Sequence, residues 1–370
     1  MKKILFMIPN LMHGGAEKVL VNLLNNMDIR EFDITLMTLF DDGVNKQFLK
    51  PHIRYISYYK KVFRGNSYYF KLFSPKSLYR KMIKDNYDII VSYLEGPTAR
   101  IVSGCSNPKT KLVSWIHVEQ HDKRTACKAF RNYKESYICY SKYHQFVCVS
   151  QTVKEDFLSI FNLDNKCDVI YNTNETDLIL EQSKEEVDDI VINPANINLC
   201  GVGKLMPNKG FDRIIHITKK LFDEGYNVNT YILGVGSHQT KYENLVTSLN
   251  LNKNVFLLGY KTNPYKYVAN CDLFLCASYA EGFSTAATES LIVGTPVCTV
   301  EVSGMKEMLG ENNEYGIVVE NNDEALYQAI KGLLDNPQIL AHYKEKAIER
   351  GKEFSKEMTV KAVEEMLRKL

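Results

Sequence analysis

The chain has 370 residues, of which 45% are hydrophobic and 24% are charged, and its formal net charge is +2. This length and apolar content are sufficient for two hydrophobic cores, which favours two domains over one. No apolar run approaches the roughly 18 residues that a membrane-spanning helix needs. Nine dispersed cysteines without a Cys-x-x-Cys pair predict reduced, packed thiols, a cytoplasmic setting and no metal site.

The charges are divided unevenly between the two halves of the chain. Residues 1–176 contain 26 Lys and Arg against 17 Asp and Glu, a balance of +9, and residues 177–370 contain 20 against 27, a balance of −7. This asymmetry predicts an anionic partner for the first half, either a membrane surface or a charged substrate.

A strand, a glycine pair and a helix are predicted at the start. Residues 2–9 are typical of a buried strand, and the apolar residues between 19 and 24 keep helical spacing. Gly14 and Gly15 lie where that helix begins, and a backbone without side chains there allows close approach of an anion. A plain tight turn is the alternative interpretation of this pair.

A basic and aromatic run follows at 58–84, which has no acidic residue and interleaves Lys and Arg with Tyr and Phe. Cations near a bilayer surface attract anionic headgroups by about 1 kcal/mol each, and aromatic side chains favour the interface. The run therefore predicts peripheral contact with an anionic membrane surface. A solvated helix with aromatic core anchors is the alternative.

Later strands are predicted at 32–39, 87–92 and 111–117, in βα alternation. His117 lies at the C-terminal end of its strand, where open α/β sheets bind ligands. A lone histidine at such a place often has only a structural role, so the residues alone leave its function open. The acidic, irregular residues 177–196 are predicted to be a linker.

The βα alternation restarts at 197–203. Gly201-x-Gly203 lacks the third glycine and the downstream acid of a dinucleotide fingerprint, so no NAD site is expected. Lys204 and Lys209 flank the loop before the next helix, where two cations could neutralise a diphosphate without a metal. Two solvated loop lysines are the alternative.

A second strand-to-helix junction is predicted where residues 271–277 end and a helix starts at Thr285. Unpaired N–H groups at that helix start favour an anion, and Ser284 and Thr285 are small enough to let it approach. Glu281 and Glu289 could accept hydrogen bonds from sugar hydroxyls on either side of a diphosphate. An acid that complements the helix dipole and an ordinary helix glutamate are the alternative.

The chain resembles the family 4 retaining glycosyltransferases, which have the GT-B architecture. The residues that carry the resemblance are Gly14-Gly-Ala-Glu17, Val202–Ile215, Glu281 and Glu289 with seven residues between them, Gly294-Thr-Pro-Val297, Ser303-Gly304 and Glu307. The resemblance implies an α/β fold with two Rossmann-like domains facing each other across a cleft. Residues 1–176 would bind the acceptor, 177–196 would be the linker, 197–355 would bind the nucleotide sugar, and a helix at 356–370 would cross back to the first domain.

The resemblance also implies a reaction and its residues. It is the metal-independent transfer, with retention, of a hexosyl or N-acetylhexosaminyl group from a nucleotide-diphosphate sugar, expected to be UDP-linked, to a glycan or undecaprenyl-linked acceptor in capsule or other surface-polysaccharide synthesis. No cofactor and no nucleic-acid partner are expected, and the expected location is cytoplasmic, peripheral on the membrane. The catalytic candidates are Glu281 and His117, and the donor-binding candidates are Gly14, Gly15, Lys204, Lys209, Phe283, Ser284, Thr285 and Glu289.

One departure and two rival functions remain. The family usually carries arginine at the position of Lys204, and a lysine there loses the bidentate fork. A nucleotide-sugar epimerase on the same fold would bind the same donor without an acceptor. A non-catalytic partner of another transferase is the second rival, which the presence of both acids and both lysines disfavours.

Overall fold

The computed structural model describes residues 1–12, 14–163 and 166–370, with Lys166 described by its backbone only. The chain forms two compact units, Met1–Asn174 with Lys356–Leu370, and Glu175–Ser355. Each unit contains one sheet whose paired strands all run parallel. Parallel pairing requires a crossover after each strand, and helices supply most of these crossovers.

The described strands of the first unit form a seven-stranded sheet in the order β3-β2-β1-β4-β5-β6-β7. They are β1 (Lys2–Ile8), β2 (Phe32–Phe40), β3 (Arg54–Tyr59), β4 (Ile89–Ser92), β5 (Lys111–Ile116), β6 (Gln145–Cys148) and β7 (Lys166–Val169). The helices between them are α1 (Gly15–Asn26), α2 (Asn66–Leu72), α3 (Pro75–Met82), α4 (Pro97–Val102), α5 (Lys123–Ala126), α6 (Tyr133–Tyr140) and α7 (Gln151–Phe161), with a 3-10 turn at Val44–Phe48.

The described strands of the second unit form a six-stranded sheet in the order β10-β9-β8-β11-β12-β13. They are β8 (Ile197–Val202), β9 (Val228–Leu233), β10 (Val255–Gly259), β11 (Leu273–Cys276), β12 (Val297–Val300) and β13 (Ile317–Val319). The helices are α8 (Thr176–Gln182), α9 (Phe211–Asp223), α10 (Gln239–Ser248), α11 (Tyr265–Ala269), α12 (Thr285–Ile292), α13 (Met305–Leu309), α14 (Asp323–Asp335) and α15 (Pro337–Gly351), with 3-10 turns at Pro207–Lys209 and Lys352–Phe354.

Continuous apolar runs explain the central strands of both sheets. Residues 4–8 of β1 are all fully buried, as expected for a parallel strand that is covered on both faces. In the second unit, the core brings Leu199 of β8 together with Ile215 of α9 and Leu326 of α14. The strand prediction for the start of each unit is therefore confirmed.

Residues 177–196, which the sequence predicted to be a linker, belong to the second unit. Helix α8 occupies the first part of this segment, and its Ile179 packs with Tyr265 and Ile292. Two of the acids further along are ion-paired: Asp188 with Lys266 at 2.8 Å, and Asp189 with Lys261. These two acids therefore have lysine partners that lie far away in sequence, which composition alone does not show.

The last helix, α16 (Lys356–Arg368), is grouped with the first unit. The Nζ of Lys2 donates a hydrogen bond to the carbonyl oxygen of Leu367 at 2.9 Å, and the backbone N–H of Asp28 donates to Glu364 at 2.7 Å. Arg368 is paired with Glu31 at 2.6 Å. These contacts attach α16 beside the first strand.

In the part of the chain that the structure describes, no helix combines the length and apolar character that crossing a membrane requires.

Chain order reverses once in each sheet, between β1 and β4 in the first unit and between β8 and β11 in the second. At such a switch point, the loops after the two strands turn to opposite faces of the sheet and leave a crevice at the carboxyl ends, where ligands bind in open α/β sheets. In the second unit, the loops that flank this position follow β8 and β11, and they carry Lys204, Lys209 and Glu281.

Gly210 allows the loop after β8 to approach the end of β11. Its φ is 65°, and a Cβ atom added there would lie 2.0 Å from the carbonyl oxygen of Ala277. Gly259 is a matched control, since its φ is 69° and an added Cβ would meet nothing within 4 Å. We expect Gly259→Ala to cost about 1–2 kcal/mol from left-handed backbone strain alone. Gly210→Ala should cost about 1–3 kcal/mol more, because the clash is added.

Urea unfolding followed by circular dichroism measures both glycine variants. Equal losses of stability in Gly210→Ala and Gly259→Ala would show that the two loops do not require this close approach.

Candidate active site

The start of α12 is built as the sequence predicted. Ser284 is the N-cap, and its hydroxyl oxygen accepts a hydrogen bond from the backbone N–H of Ala287 at 3.3 Å. Ser284 is buried, whereas Thr285 and Ala286 are partly exposed. The first N–H groups of a helix have no partner within the helix, and the helix dipole makes this end positive. The junction therefore offers an anion site at the carboxyl end of β11.

Lys209 and Glu281 form an ion pair between the loop after β8 and the loop after β11. The Lys209 Nζ donates to Glu281 Oε1 at 2.5 Å, and the hydroxyl of Ser278 donates to the same oxygen at 2.8 Å. The side chain of Glu281 is 12% exposed and that of Lys209 is 27% exposed. The two predicted functional residues are thus in contact at the switch point of the second sheet.

Lys204 behaves differently from Lys209. Its side chain is exposed and makes no hydrogen bond or ion pair with a described residue. Its ammonium group is therefore solvated, while that of Lys209 is held in place by Glu281.

Glu289 and Phe283 are both buried. Glu289 is 9% exposed, and its Oε1 accepts a hydrogen bond from the hydroxyl of Tyr265 at 3.3 Å. Phe283 packs edge-on against Phe354 with ring centroids 5.9 Å apart. Gly304 lies against the same loop, because a Cβ there would come within 2.8 Å of the Phe283 ring. Phe283 thus has a packing role, and its donor-binding role stays a prediction.

Arg213 is a site-forming residue that the sequence reasoning missed. It is 2% exposed, and its guanidinium donates to the carbonyl oxygen of Ala277 at 3.0 Å and to Asp323 at 2.6 Å. It also lies over the ring of Tyr279 at 4.9 Å. Arg213 therefore fixes the end of β11, from which the loop with Glu281 starts. An arginine on the apolar face of a predicted helix was the available signal.

The glycine pair of the first unit lies at the start of α1. Gly14 is the N-cap, with an ordinary extended backbone, and Gly15 is the first helical residue. A Cβ on Gly14 would lie 1.7 Å from a carboxylate oxygen of Glu17, so the side chain of Glu17 occupies the space that the glycine leaves. Residue 13 of this loop lies outside the described residues.

His117 is buried directly after β5, at 7% exposure, with its ring 4.9 Å from that of Tyr93. Burial lowers the pKa of His117 to about 3, although a hydrogen bond to the backbone of Tyr93 acts in the opposite direction. Its Nε2 is buried and has no hydrogen-bond partner among the described residues. A neutral imidazole has one N–H donor and one acceptor nitrogen, so the buried ring of His117 keeps one lone pair for a hydrogen bond.

Glu95 follows β4, the neighbour of β5, and the sequence reasoning did not select it. Its Oε2 accepts the backbone N–H of His117 at 3.0 Å. Burial raises the pKa of Glu95, although the hydrogen bond from His117 lowers it. The strand-end argument that selected His117 applies equally to an acid after the apolar run of β4, so the signal was present.

The described residues contain no group of three or more His, Cys, Asp and Glu side chains arranged to hold a metal ion.

Comparison with known proteins identifies the fold. The chain superposes on Anabaena HepE, solved in complex with UDP and glucose, with a TM-score of 0.77, 19% sequence identity and full coverage of both chains. The two parallel-sheet units are those of the GT-B fold, which confirms the predicted fold class.

The sequence matches two family models. Residues 13–178 match "Glycosyltransferase Family 4", and residues 182–353 match "Glycosyl transferases group 1". The chain therefore belongs to the glycosyltransferases that combine these two domains, and it is a transferase, as predicted.

Two curated relatives are similar over most of the chain. An N-acetylgalactosamine-N,N'-diacetylbacillosaminyl-diphospho-undecaprenol 4-alpha-N-acetylgalactosaminyltransferase of Campylobacter jejuni is 27% identical over 96% of both chains. A poly(ribitol-phosphate) alpha-N-acetylglucosaminyltransferase of Staphylococcus aureus is 25% identical over 80% of this chain and 57% of its own length.

Glu95 can be tested by two substitutions. Glu95→Ala leaves the buried N–H of His117 unpaired and should lower the free energy of unfolding by about 1–3 kcal/mol. Glu95→Gln keeps an acceptor oxygen and should cost less. Because burial raises the pKa of Glu95 above 4.5, the wild type should also lose stability relative to Glu95→Gln as the pH rises through that raised pKa. Urea unfolding of the wild type and the two variants measures these differences in stability. Equal losses of stability in Glu95→Ala and Glu95→Gln would contradict the hydrogen bond.

The pH dependence of stability tests the buried, neutral state of His117. Its folded pKa of about 3 lies below the usual 6.5, so the stability that depends on the neutral ring is complete above pH 6.5 and is lost as the pH falls towards 3. We expect the wild type to lose about 3 kcal/mol relative to His117→Gln between about pH 7 and about pH 4. Parallel urea titrations measure this difference. An unchanged difference would mean that His117 protonates freely in the folded protein.

Proposed function

We propose that the protein transfers a hexosyl or N-acetylhexosaminyl group, with retention and without a metal, from a UDP-sugar to a glycan or lipid-linked acceptor in surface-polysaccharide synthesis. The observation that carries this proposal is the Lys209–Glu281 pair beside the N-terminus of α12. A cation and a positive helix end fit a diphosphate, and an adjacent carboxylate fits sugar hydroxyls.

Donor binding exchanges the partner of Lys209. Without a ligand, Lys209 neutralises Glu281. A diphosphate at the α12 N-terminus offers Lys209 a stronger anionic partner, and Glu281 then accepts hydrogen bonds from the sugar while Ser278 still orients it. Lys204 is exposed and free to fold onto the same phosphates. Glu289, one turn into α12, is assigned to the ribose hydroxyls. The UDP bound in the solved HepE structure supports a uridine nucleotide.

Retention is supported by the names of both relatives, each of which specifies an alpha-linked product. Common UDP-N-acetylhexosamine donors are themselves alpha-linked at the anomeric carbon, so an alpha product retains that configuration. In the proposed step, the bond from the anomeric carbon to the UDP oxygen breaks, and the acceptor oxygen bonds on the same face. The acceptor proton moves to the departing phosphate oxygen.

Protein groups stabilise the charges of this step. Lys209 and the α12 amides hold the negative charge that develops on the leaving diphosphate, so they supply what a metal would otherwise supply. The Glu281 carboxylate favours positive charge on the sugar ring. The acceptor nitrogen of neutral His117 suits a substrate hydroxyl rather than a phosphate, because it offers a lone pair and no positive charge.

A lipid-linked acceptor is favoured by two observations. The Campylobacter jejuni relative, which matches along nearly the full length of both chains, is named for a diphospho-undecaprenol substrate. The first half of this chain carries the balance of +9, from 26 cations and 17 acids, that a diphosphate-linked substrate at an anionic bilayer would attract. A peripheral position on the cytoplasmic face of the membrane follows from this acceptor.

Titration with UDP in the presence of EDTA tests the donor site. Lys209→Met should weaken UDP binding by about tenfold, because a cation that contacts the diphosphate is lost. Glu281→Gln should leave UDP affinity unchanged or tighter, since Lys209 is released from its partner, while slow hydrolysis of the UDP-sugar should fall by about a hundredfold or more. Lys219→Met is the matched control, because it removes half of another lysine–acid pair in the same unit.

The outcomes separate the rival functions. Weaker UDP binding in both Lys209→Met and Glu281→Gln would contradict the exchange of partners. Formation of an epimeric UDP-sugar without an acceptor would identify an epimerase. Binding of neither UDP nor GDP would favour a non-catalytic partner.

A further inference from the structure

The basic and aromatic run at 58–84 is divided by the structure into a packed part and an exposed part. Its packed part is an aromatic cluster with neighbouring ring centroids 5.2–6.4 Å apart. The members of this cluster are Tyr59, Phe63, Tyr69, Phe70 and Phe73. Phe70 is buried at 3% exposure and the other four rings are partly exposed, so the alternative interpretation as a core anchor holds for Phe70.

Three apolar side chains of the same run point outward. Val62 is 48% exposed, Tyr68 is 78% exposed and Leu72 is 74% exposed. They lie on α2 and on the loop before it, within eleven residues of one another along the chain. Single exposed apolar side chains are common on protein surfaces, whereas a local group of them marks an interaction site more often.

The same short segment carries exposed cations. Lys60, Lys61 and Arg64 are exposed, and none of them forms an ion pair with a described residue. No acid occurs between 58 and 84 to compete for them. A surface that combines unpaired cations with protruding apolar side chains complements an anionic bilayer, because headgroups take the charges and the interface takes the apolar groups.

The end of α2 is held by two arginines from other elements. Arg100, which is 1% exposed, donates to the carbonyl oxygens of Phe70 and Phe73, both at 2.8 Å. Arg131 donates to the carbonyl oxygens of Lys71 at 2.7 Å and Leu72 at 3.0 Å. Four successive carbonyl groups therefore accept hydrogen bonds from these arginines. The backbone that carries Tyr68 and Leu72 is thus held by contacts within the protein.

Glu135 holds both arginines in place. It pairs with Arg100 through two hydrogen bonds, at 2.8 Å and 3.1 Å, and accepts the backbone N–H of Arg131 at 2.7 Å. A preformed surface loses little conformational freedom on binding, which favours association.

We propose that Val62, Tyr68 and Leu72 form a membrane-docking surface, which inserts into the interface of an anionic bilayer while Lys60, Lys61 and Arg64 contact its headgroups. This inference rests on the proposed function for its purpose, since a lipid-linked acceptor requires the enzyme to work at a bilayer. The docking itself depends only on the described surface, so it can be tested separately from catalysis.

Vesicle flotation of the full chain provides the test. The wild type should bind phosphatidylcholine vesicles that contain roughly one third phosphatidylglycerol, and it should bind pure phosphatidylcholine vesicles at least about tenfold more weakly. Tyr68→Ser with Leu72→Ser should reduce binding to the anionic vesicles by about tenfold or more. Lys60→Gln with Lys61→Gln and Arg64→Gln should reduce binding as well and should weaken its dependence on salt.

Ile339→Ser is the matched control, because Ile339 is a 45% exposed apolar residue of the second unit, outside the proposed surface. It should bind vesicles like the wild type. Urea unfolding followed by circular dichroism should give every variant the wild-type transition, which shows that the variants are folded.

Two results would overturn the docking surface. One is a wild type that does not bind the anionic vesicles, in which case the surface fits a protein partner instead. The other is full vesicle binding by the Tyr68→Ser, Leu72→Ser variant. Failure of the proposed function would look different, because UDP binding would be absent while vesicle binding persisted.

Discussion

The parallel order of the second sheet, which reverses between β8 and β11, is the constraint on which the candidate site depends. Because the carboxyl ends of the two strands meet, a lysine after one strand and a glutamate after the other come within ion-pairing distance, although 71 residues stand between positions 209 and 281. Gly210 permits the close approach, and Arg213 fixes the strand end. Lys209 and Glu281 are thus brought together first by the order of the strands and then by the contacts of Gly210 and Arg213.

The candidate site residues of the two units differ in charge. The second unit holds an ion pair between Lys209 and Glu281, so this lysine is oriented by a protein carboxylate. The first unit keeps His117 neutral by burial and leaves its Nε2 without a described partner. The ion-paired lysine and the neutral imidazole therefore belong to different sheets. This division follows from burial, since a solvent-exposed imidazole would titrate near neutral pH and lose its acceptor character.

Much of the fold could be predicted from the sequence because its signals are local. The apolar run of β1 and the small residues at Ser284 and Thr285 fix a strand and a helix start within a few residues. Glu95 was overlooked although it follows the apolar run of β4, whereas the pairing of Asp189 with Lys261 escaped prediction because it joins distant parts of the chain. Long-range pairs leave no periodicity in the sequence, so an acidic run looks the same whether solvated or paired. Residue roles in the donor site remain predictions for the same reason.

The attachment of α16 beside the first strand has a consequence for biosynthesis. Lys2 and Leu367 share a hydrogen bond although nearly the whole polypeptide separates them. Domains usually fold in turn as they leave the ribosome, N-terminal first. Here the second unit can complete its core while the first still lacks its last helix, so the first unit to be translated is the last to be finished. During that interval, the surface that α16 covers, around Asp28 and Glu31, is open to water and to chaperones.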